Sequence, residues 1–291
     1  MFFLMIVPVA ALIALSFWRQ ESFTLYREFS LRNYWTIFEP SGQPRYFAGI
    51  PFPFENPIYL MLACKSVVMS AGATAAVVLL AYPMAYFLAF RAKRHKFIWL
   101  IIVTIPFWTS YLLRLYAWKI MLGSHGVVNA SLINLGVLSE PLGFLLYNPI
   151  AVVIVLAHSW AAFAILPIFV SLEKIDRSLL EAAANLGDGP WERFRNVTLP
   201  LSMPGVIAAI LLVFIPTVGD YFTPQIVGGT SGMMIGNVVQ ALFTRTNNAP
   251  LGAAVSIVTM LMVTLVACAF VGLAGGRRGN FRKVGNAAAE A

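Results

Sequence analysis

The sequence predicts an all-α membrane protein with six transmembrane helices. Of the 291 residues, 59% are hydrophobic and only 11% are charged, the mean hydropathy is +0.79, and the apolar residues form six long runs. A soluble domain carries about a quarter charged residues, so soluble domains of this composition would lack charged surface. Disorder is excluded as well, because a disordered chain is poor in apolar residues.

Each run has about the 20 mostly apolar residues that a helix needs to cross about 30 Å of hydrocarbon. Their approximate bounds are 1–18, 66–90, 97–117, 148–170, 204–222 and 251–273. The first run lacks the basic lead-in and the cleavage site of a signal peptide, so we interpret it as a helix whose cytoplasmic lead-in is short or missing. The proline-rich residues 19–59 that follow predict an external loop or a short interfacial structure. Prolines inside the runs predict kinked helices at Pro8, Pro83, Pro106, Pro167 and Pro216.

The net charge of +8 has a topological explanation. Twelve of the 20 basic residues lie in three clusters, at 91–96, 174–195 and 277–283, which follow the second, fourth and sixth runs. Basic residues accumulate on the cytoplasmic side of membrane proteins, so these connections and the C-terminus are predicted to be cytoplasmic. A nucleic-acid partner is not expected, because the charge is not spread as a binding footprint.

The cytoplasmic loop 176–200 predicts two short helices joined by a tight turn. Ser178 with Glu181 forms a capping-box pattern at the start of the first helix. Gly187 suits a left-handed helix end, and Pro190 suits the first turn of the second helix. Pro200 and Pro204 are expected to close this unit before the fifth run begins. Amphipathy alone would favour a connector that rests on the membrane surface.

The residues of this loop resemble a known family motif. Glu181-Ala182-Ala183, three residues, Gly187, nine residues and Val197-Thr-Leu199-Pro200 are similar to the EAA loop of ABC-importer permease subunits. Val197 replaces the usual Ile.

The resemblance implies a type I ABC importer permease fold in which the first short helix docks on an ATPase subunit. It implies that Glu181 meets the ATPase, that Ala182 and Ala183 allow close packing, and that Gly187 makes the turn. The chain has no GxxxxGK[ST] phosphate loop, so no cofactor and no enzymatic activity are expected in it. ATP and Mg are expected in the partner ATPase.

Further segments within about 66–273 resemble the PotB- and PotH-type spermidine/putrescine permeases. They are IPFWTSYLLRLYAWK at 105–119, GDYFTPQIVGG at 219–229, MIGNV at 234–238 and PLGAA at 250–254. The resemblance implies a multi-pass protein of the bacterial inner membrane with a second homologous permease, two ATPase copies and a periplasmic substrate-binding protein as partners. The division of the chain is then a first helix and external loop (1–65), a permease core with the EAA loop (66–273) and a cytoplasmic tail (274–291).

The cargo stays open at this point between polyamines and another small solute such as an opine, thiamine or an iron complex. An ion-coupled secondary transporter fits less well, because two related halves and more intramembrane ionisable groups would be expected. A membrane enzyme or a metal site has no support, since the three histidines are scattered and no HExxH or Cys/His cluster occurs.

Asp220 indicates a small cationic substrate. It is the only acidic residue within or at the end of runs two to six, where an ionisable group costs about 2.5–3.5 kcal/mol and is a functional candidate. It follows Pro216 and Gly219, where the helix can break and face a cavity. Tyr221 and Phe222 adjoin it.

Two further aromatic residues are candidates for the substrate pathway. Trp108 and Tyr111 are three residues apart and are expected on one face of the third run. An aromatic face attracts an ammonium group by about 0.5–2 kcal/mol. Both residues also fit an interfacial aromatic belt. Asp220 equally fits a helix end at the external interface that is either paired with Arg114 or Arg245 or simply hydrated. Arg114 and Lys119 are interpreted as snorkelling towards the headgroups, with loop stabilisation or steering of the binding protein as alternatives.

Overall fold

The computed structural model describes residues 2–21, 24–40, 46–47, 50–51, 57–92 and 96–289, and side chains within this range up to residue 273, except those of residues 2, 4, 5, 46, 47, 50 and 51. The described part is mostly helical, which confirms the all-α class. The helices are α1 (Phe2–Ser16), α2 (Arg32–Phe38), α3 (Ile58–Phe90), α4 (Lys96–Thr104), α5 (Tyr111–Leu122), α6 (Val127–Asn134), α7 (Pro149–Glu173), α8 (Arg177–Asn185), α9 (Pro190–Arg193), α10 (Leu199–Val218), α11 (Ile235–Thr244) and α12 (Ala249–Ala289). Short 3-10 turns cover Ile105–Trp108 and Gly143–Leu145, and π-helical turns cover Phe194–Thr198 and Pro224–Gly228.

The predicted spans correspond to these helices. Four are long and apolar enough to cross a membrane by length and composition: α3, α7, the continuous stretch Pro190–Val218 and the part of α12 over Ala249–Leu273. The third predicted span is a bent pair, Lys96–Trp108 and Tyr111–Asn134, which we call the third span below. The first is α1, a shorter apolar helix. This arrangement is consistent with six transmembrane segments.

The third span is not the single straight helix that its apolar run predicts. Its two halves are bent by 84°. The tight turn Ile105–Trp108 contains Pro106, and the next two residues, Thr109 and Ser110, have extended backbone with ψ near 153° and 135°. The prediction that Trp108 and Tyr111 share one helical face is therefore wrong, because no helix is continuous between them.

The second half of the EAA loop also departs from the prediction. Pro200 and Pro204 do not close the unit, because the chain stays helical from Pro190 to Val218. In the wide turn Phe194–Thr198 the Leu199 amide bonds to the Phe194 carbonyl, five residues back. Such a π-turn changes the backbone pairing just before Pro200, which has no amide hydrogen to give. The loop is thereby joined to the fifth span as one helix.

The core lies between α3, α7 and α10. It contains the buried residues Val77, Ala81, Ala85, Leu88, Ala164, Ile165, Ile168, Leu172, Val206, Ala209 and Val213. Gly205 brings α10 against α7 so closely that a Cβ atom there would lie 2.4 Å from the Pro167 carbonyl oxygen and 2.4 Å from Ser171 Cβ. Small residues at such crossings allow membrane helices to approach closely.

The predicted external loop is built from short elements. Strands β1 (Arg19–Glu21) and β2 (Thr24–Tyr26) form one antiparallel pair, and β3 (Tyr46–Phe47) and β4 (Ile50–Pro51) form another. The helix α2 between these pairs buries Ile37 against α3, α11 and α12. Because α3 already begins at Ile58, the predicted boundary after residue 65 falls inside this helix.

Part of the basic clusters lies outside the described residues. Residues 93–95 are not described, and the side chains from 274 onwards are not described either. Lys96, the last residue of the first cluster and the first residue of α4, forms an ion pair with Glu173, which joins α4 to the C-terminal end of α7.

Candidate functional site

A cavity of about 560 Å³ lies where the bend of the third span, α7 and the end of α10 meet. Four of the five predicted pathway residues line it, namely Asp220, Tyr221, Phe222 and Tyr111. Trp108 is not among the lining residues, and its side chain is 82% exposed. The bend at Thr109 and Ser110 separates it from Tyr111. We call this the Asp220 cavity.

Asp220 lies at the predicted break, two residues after α10 ends at Val218. Its Oδ1 accepts hydrogen bonds from the backbone amides of Phe222 at 2.9 Å and Thr223 at 3.4 Å. These are the bonds of a helix N-cap, here for the helical segment that runs from Phe222 through the turn Pro224–Gly228. Asp220 therefore has a structural role at the start of this segment.

The other carboxylate oxygen joins Asp220 to α5. Oδ2 accepts from the Thr223 hydroxyl at 2.6 Å and from the Tyr111 hydroxyl. Tyr111 Oη and Thr223 Oγ1 are also 2.7 Å apart. With one proton on each hydroxyl, both donate most favourably to the charged carboxylate, because charge-assisted hydrogen bonds are the stronger ones. Thr223 is fully buried and was missed in the sequence, where nothing but its position three residues after Asp220 marks it.

The carboxylate of Asp220 forms no ion pair within the described part of the chain. The ion pairs found there join Arg19 to Glu21 and Lys96 to Glu173. The predicted alternative, in which Asp220 pairs with Arg114 or Arg245, is therefore wrong. Four hydrogen-bond donors, two amides and two hydroxyls, solvate the negative charge instead.

Arg114 also lines the Asp220 cavity, but its guanidinium group bonds to backbone carbonyls. Nη2 donates to the carbonyl oxygens of Pro106 at 3.3 Å, Phe107 at 3.2 Å and Thr109 at 3.2 Å, and Nη1 donates to that of Ser159 at 3.2 Å. The guanidinium carbon lies 5.0 Å from the centre of the Phe107 ring. The interpretation of Arg114 as a snorkelling residue is thus wrong, whereas loop stabilisation describes its contacts.

The first helix of the EAA loop begins two residues earlier than the capping-box pattern predicts. Asp176 caps α8, since its Oδ1 accepts a hydrogen bond from the Ser178 amide at 3.0 Å. This bond lowers the pKa of the Asp176 carboxyl below its ordinary value, because it favours the charged form. Ser178 is therefore the second residue inside the helix, and the predicted pairing of Ser178 with Glu181 is wrong.

Gly187 ends α8 in the left-handed conformation that the sequence predicts. Its φ is +96°, its amide bonds to the Ala184 carbonyl, and the Asp188 amide bonds to the Ala183 carbonyl. These two bonds form a Schellman motif, which glycine allows without steric cost.

The side chains of α8 divide into an inner and an outer set. Ala183 is buried against the rest of the molecule, whereas Glu181 and Ala182 are exposed. The apolar Leu179 and Leu186 are also exposed, to 47% and 87%. The outer set is a mixed acidic and apolar surface of the kind that a protein partner can cover.

The second helix of the loop is fixed to α3. The Gly189 amide donates to Glu192 Oε2 at 2.7 Å, which caps the helix start. Phe194 makes edge contacts with Tyr82 and Tyr86 of α3, with ring centres 5.8 and 6.2 Å apart. At the end of the motif, Leu199 is half-buried and Pro200 is exposed.

Metal ligands are not clustered in the described residues. No group of three or more His, Cys, Asp or Glu side chains among them is close enough to hold a metal ion.

Comparison with known proteins identifies the family. The family described as "Binding-protein-dependent transport system inner membrane component" matches residues 1–275. This chain belongs to that family. It is therefore a permease subunit of a binding-protein-dependent ABC importer, a multi-pass protein of the inner membrane.

Individual relatives are similar to this permease over most of its length. It is 35% identical over 266 residues to the spermidine/putrescine transport system permease protein PotB of Haemophilus influenzae, covering 91% of this chain and 87% of that protein. It is 35% identical to PotB of Escherichia coli K12 over 226 residues, covering 76% and 82%. The inner membrane ABC transporter permease protein YdcU of E. coli K12 is 34% identical over 223 residues, covering 72% and 70%. These matches confirm the resemblance found in the sequence.

The fold of the permease matches solved ABC importers. A crystal structure of a bacterial ABC transporter for the acidic polysaccharide alginate contains a chain that superposes with a TM-score of 0.66 at 16% identity, covering 95% of this permease and 91% of that chain. The alginate transporter in complex with its pentasaccharide-bound periplasmic protein gives a TM-score of 0.64 at 17% identity, covering 93% and 90%. The predicted type I importer fold is thereby confirmed.

Proposed function

We propose that this permease is the transmembrane subunit of an ATP-driven importer of polyamines such as spermidine and putrescine. The observation that carries the proposal is the 35% identity to a spermidine/putrescine permease over 91% of the chain. The Asp220 cavity supports it chemically, because a carboxylate that has no ion pair within the described part of the chain lies there among aromatic side chains. Ammonium groups are attracted by both kinds of group.

The contacts of Asp220 suggest how a cargo ammonium reaches it. Two of its four donors are amides of the same segment, but the Tyr111 hydroxyl comes from α5 and is the donor most easily replaced. An ammonium about 4 Å from a carboxylate gains about 4 kcal/mol at an effective dielectric constant of 20, before its own desolvation. A hydrogen bond to a charged group contributes about 1.5–3 kcal/mol. Exchange of the Tyr111 hydroxyl for a cargo ammonium is therefore energetically feasible.

We further propose that two copies of a partner ATPase hold ATP and Mg and drive this permease through the EAA loop. Glu181 and Ala182 lie on the exposed side of α8, where a partner can contact them. The continuous helix Pro190–Val218 has 29 residues, about 43 Å at 1.5 Å per residue. It runs from the turn at Gly187 to the break that holds Asp220. A tilt imposed on the loop is thus transmitted along one helix to the cavity.

The transport cycle follows from this connection. ATP-driven closure of the ATPases moves α8 and opens the pathway outward, where a periplasmic substrate-binding protein delivers the cargo. Hydrolysis returns the inward-facing state. Cargo and ATP bias these two states only through contacts that differ between them. A second homologous permease completes the pathway, and the C-terminus lies in the cytoplasm with the three basic clusters.

Uptake of labelled putrescine and spermidine tests the cargo. The permease is expressed with its partner subunits in a bacterial strain that lacks polyamine uptake. Wild type restores uptake, and Asp220→Asn reduces it at least tenfold. Glu140→Gln removes a charge from an exposed residue of another connection and leaves uptake within twofold. Undiminished uptake by Asp220→Asn would overturn the proposed role of Asp220 in attracting the cargo cation. Absence of polyamine uptake by the wild-type importer would overturn the assignment of polyamines as the cargo.

Co-purification tests whether the ATPase docks on the EAA loop. Gly187→Asp is expected to lose the ATPase from the purified complex, because the turn after α8 is altered. Gly136→Asp is the matched control, since Gly136 also has a positive φ, +70°, and open space around it but lies in another loop. If the two variants retain equal amounts of ATPase, docking does not depend on this turn. A C-terminal reporter that is active only in the periplasm would, if active, contradict the proposed orientation.

A further inference from the structure

Arg114 is a charged residue of the Asp220 cavity that the proposed transport chemistry does not use. Two of the carbonyl groups that it binds, those of Pro106 and Phe107, belong to the half of the third span that precedes the bend, and a third, that of Thr109, lies at the bend itself. The fourth, that of Ser159, belongs to α7. Arg114 itself lies on the first turn of α5, after the bend. One side chain therefore joins both halves of the third span to the neighbouring helix.

The chemistry of the bend explains why an arginine is suited to this position. Where a helix ends, its last carbonyl groups lose their intrahelical donors, and a cation near that end is favoured by the helix dipole. Guanidinium offers five N–H donors in a planar fork and binds several acceptors at once, whereas an ammonium group is a compact point charge. The Phe107 ring beneath the guanidinium adds a cation–π contact.

Arg114 and Tyr111 are three residues apart in α5, so they lie on the same face of its first turn. Arg114 anchors this turn, and the Tyr111 hydroxyl projects from it to Asp220 and Thr223. We propose that Arg114 is a positioning residue, which holds the bend of the third span and thereby fixes Tyr111 against Asp220. The effect of Arg114 on uptake rests on the proposed function of Asp220. Its effect on the position of Tyr111 does not.

Hydrogen exchange of the purified importer complex in lipid nanodiscs, without cargo, tests the structural effect. Arg114→Gln is expected to raise the amide exchange rate at least tenfold, both in peptides covering 107–114 and in peptides covering 220–228. Loss of one hydrogen bond to a charged group produces a change of this size. Lys119→Gln removes the same charge from the same helix, and the Lys119 side chain makes no hydrogen bond or ion pair with the described residues. It is expected to change exchange by less than twofold.

Two further variants keep the test decisive if Arg114→Gln does not assemble. Arg114→Lys keeps the charge without the planar fork and is expected to raise exchange in both regions, by less than Arg114→Gln. Tyr111→Phe removes the hydroxyl alone and is expected to raise exchange in 220–228 only. Unchanged exchange at 220–228 in the Arg114 variants would overturn the proposal.

A double-mutant cycle on initial uptake rate separates positioning from general destabilisation. If Arg114 acts through Tyr111, the loss caused by Arg114→Gln in wild type shrinks to less than twofold in the Tyr111→Phe background. Full additivity would show that Arg114 does not act through Tyr111. If Asp220→Asn keeps full uptake while the Arg114 variants change amide exchange as expected, the proposed function of Asp220 is refuted but the positioning role of Arg114 is supported.

Discussion

Substitution of Gly205 by alanine tests the close contact between α7 and α10, which we expect to make the two helices move together during transport. The added Cβ would lie 2.4 Å from the Pro167 carbonyl oxygen and 2.4 Å from Ser171 Cβ. Non-bonded carbon atoms prefer about 3.5–4.0 Å, so the two helices must separate by about 1 Å at this crossing. Neither atom is the far end of a flexible side chain, and the strain therefore has no local relief.

The magnitude follows from two opposing effects. Overpacking of a tightly packed core costs about 1–3 kcal/mol, and separation also weakens the burial of Val206 and Ala209 beside the crossing. Alanine regains up to about 1 kcal/mol through its higher helix propensity. We expect a net destabilisation of about 1–2 kcal/mol, together with reduced uptake because α7 and α10 no longer move as one unit.

Thermal unfolding in detergent and uptake in cells measure the two effects. Gly72→Ala is the matched control, since Gly72 lies within α3 and a Cβ there meets nothing within 4 Å. It is expected to leave stability unchanged or raise it by about 0.5–1 kcal/mol. If Gly205→Ala unfolds at the same temperature as wild type and transports normally, α7 and α10 are not in contact at Gly205 and the reasoning fails.

Three further predictions concern single hydrogen bonds and one backbone conformation. In Gly187→Ala the added methyl group meets open space, so the destabilisation comes from the left-handed backbone alone, about 1–2 kcal/mol. Faster amide exchange at the end of α8 is expected, and unchanged exchange would contradict this reasoning. Ser66→Ala removes the acceptor of the buried Ile235 amide, 2.7 Å away, and should cost about 1–3 kcal/mol in thermal unfolding; equal unfolding temperatures would count against this bond. The pKa of Asp176 is lower in the folded protein than in the unfolded chain, where it is about 3.9. The hydrogen bond by which Asp176 caps α8 therefore stabilises the folded state fully above the unfolded pKa. This stabilisation is lost as the pH falls through the lower folded pKa. Exchange at the Ser178 amide, corrected for its intrinsic pH dependence, should rise over that window in wild type but not in Asp176→Ala.

The site shows which of its parts local sequence can predict. The break after α10 was predicted at Asp220 from Pro216 and Gly219, and α10 ends at Val218 as expected. Gly187 was predicted as a left-handed helix end because it is a glycine at the turn between two short helices, and its φ is +96°. Both follow from residues whose backbone preferences act within one turn of the chain.

The bend of the third span shows where such reasoning fails. The run 97–117 is apolar enough to form one helix, and Pro106 alone predicts only a kink. The full break requires donors for carbonyl groups that a straight helix would satisfy internally. Arg114 donates to three carbonyl groups at the bend, and the Ser159 carbonyl of α7, 45 residues further along the chain, accepts from the same guanidinium group.

The membrane class, the positions of the apolar segments, the family and the turn at Gly187 could all be predicted from sequence, because hydropathy, motif spacing and glycine geometry are properties of short stretches of chain. The packing of the helices was needed to find that Tyr111 and Thr223 share Asp220 while Trp108 lies outside the cavity, and that Arg114 binds carbonyls at the bend. The partners of a buried carboxylate or of a freed carbonyl are selected by which helices pack together. The packing of α5, α7 and α10 brings together groups more than 40 residues apart in the chain.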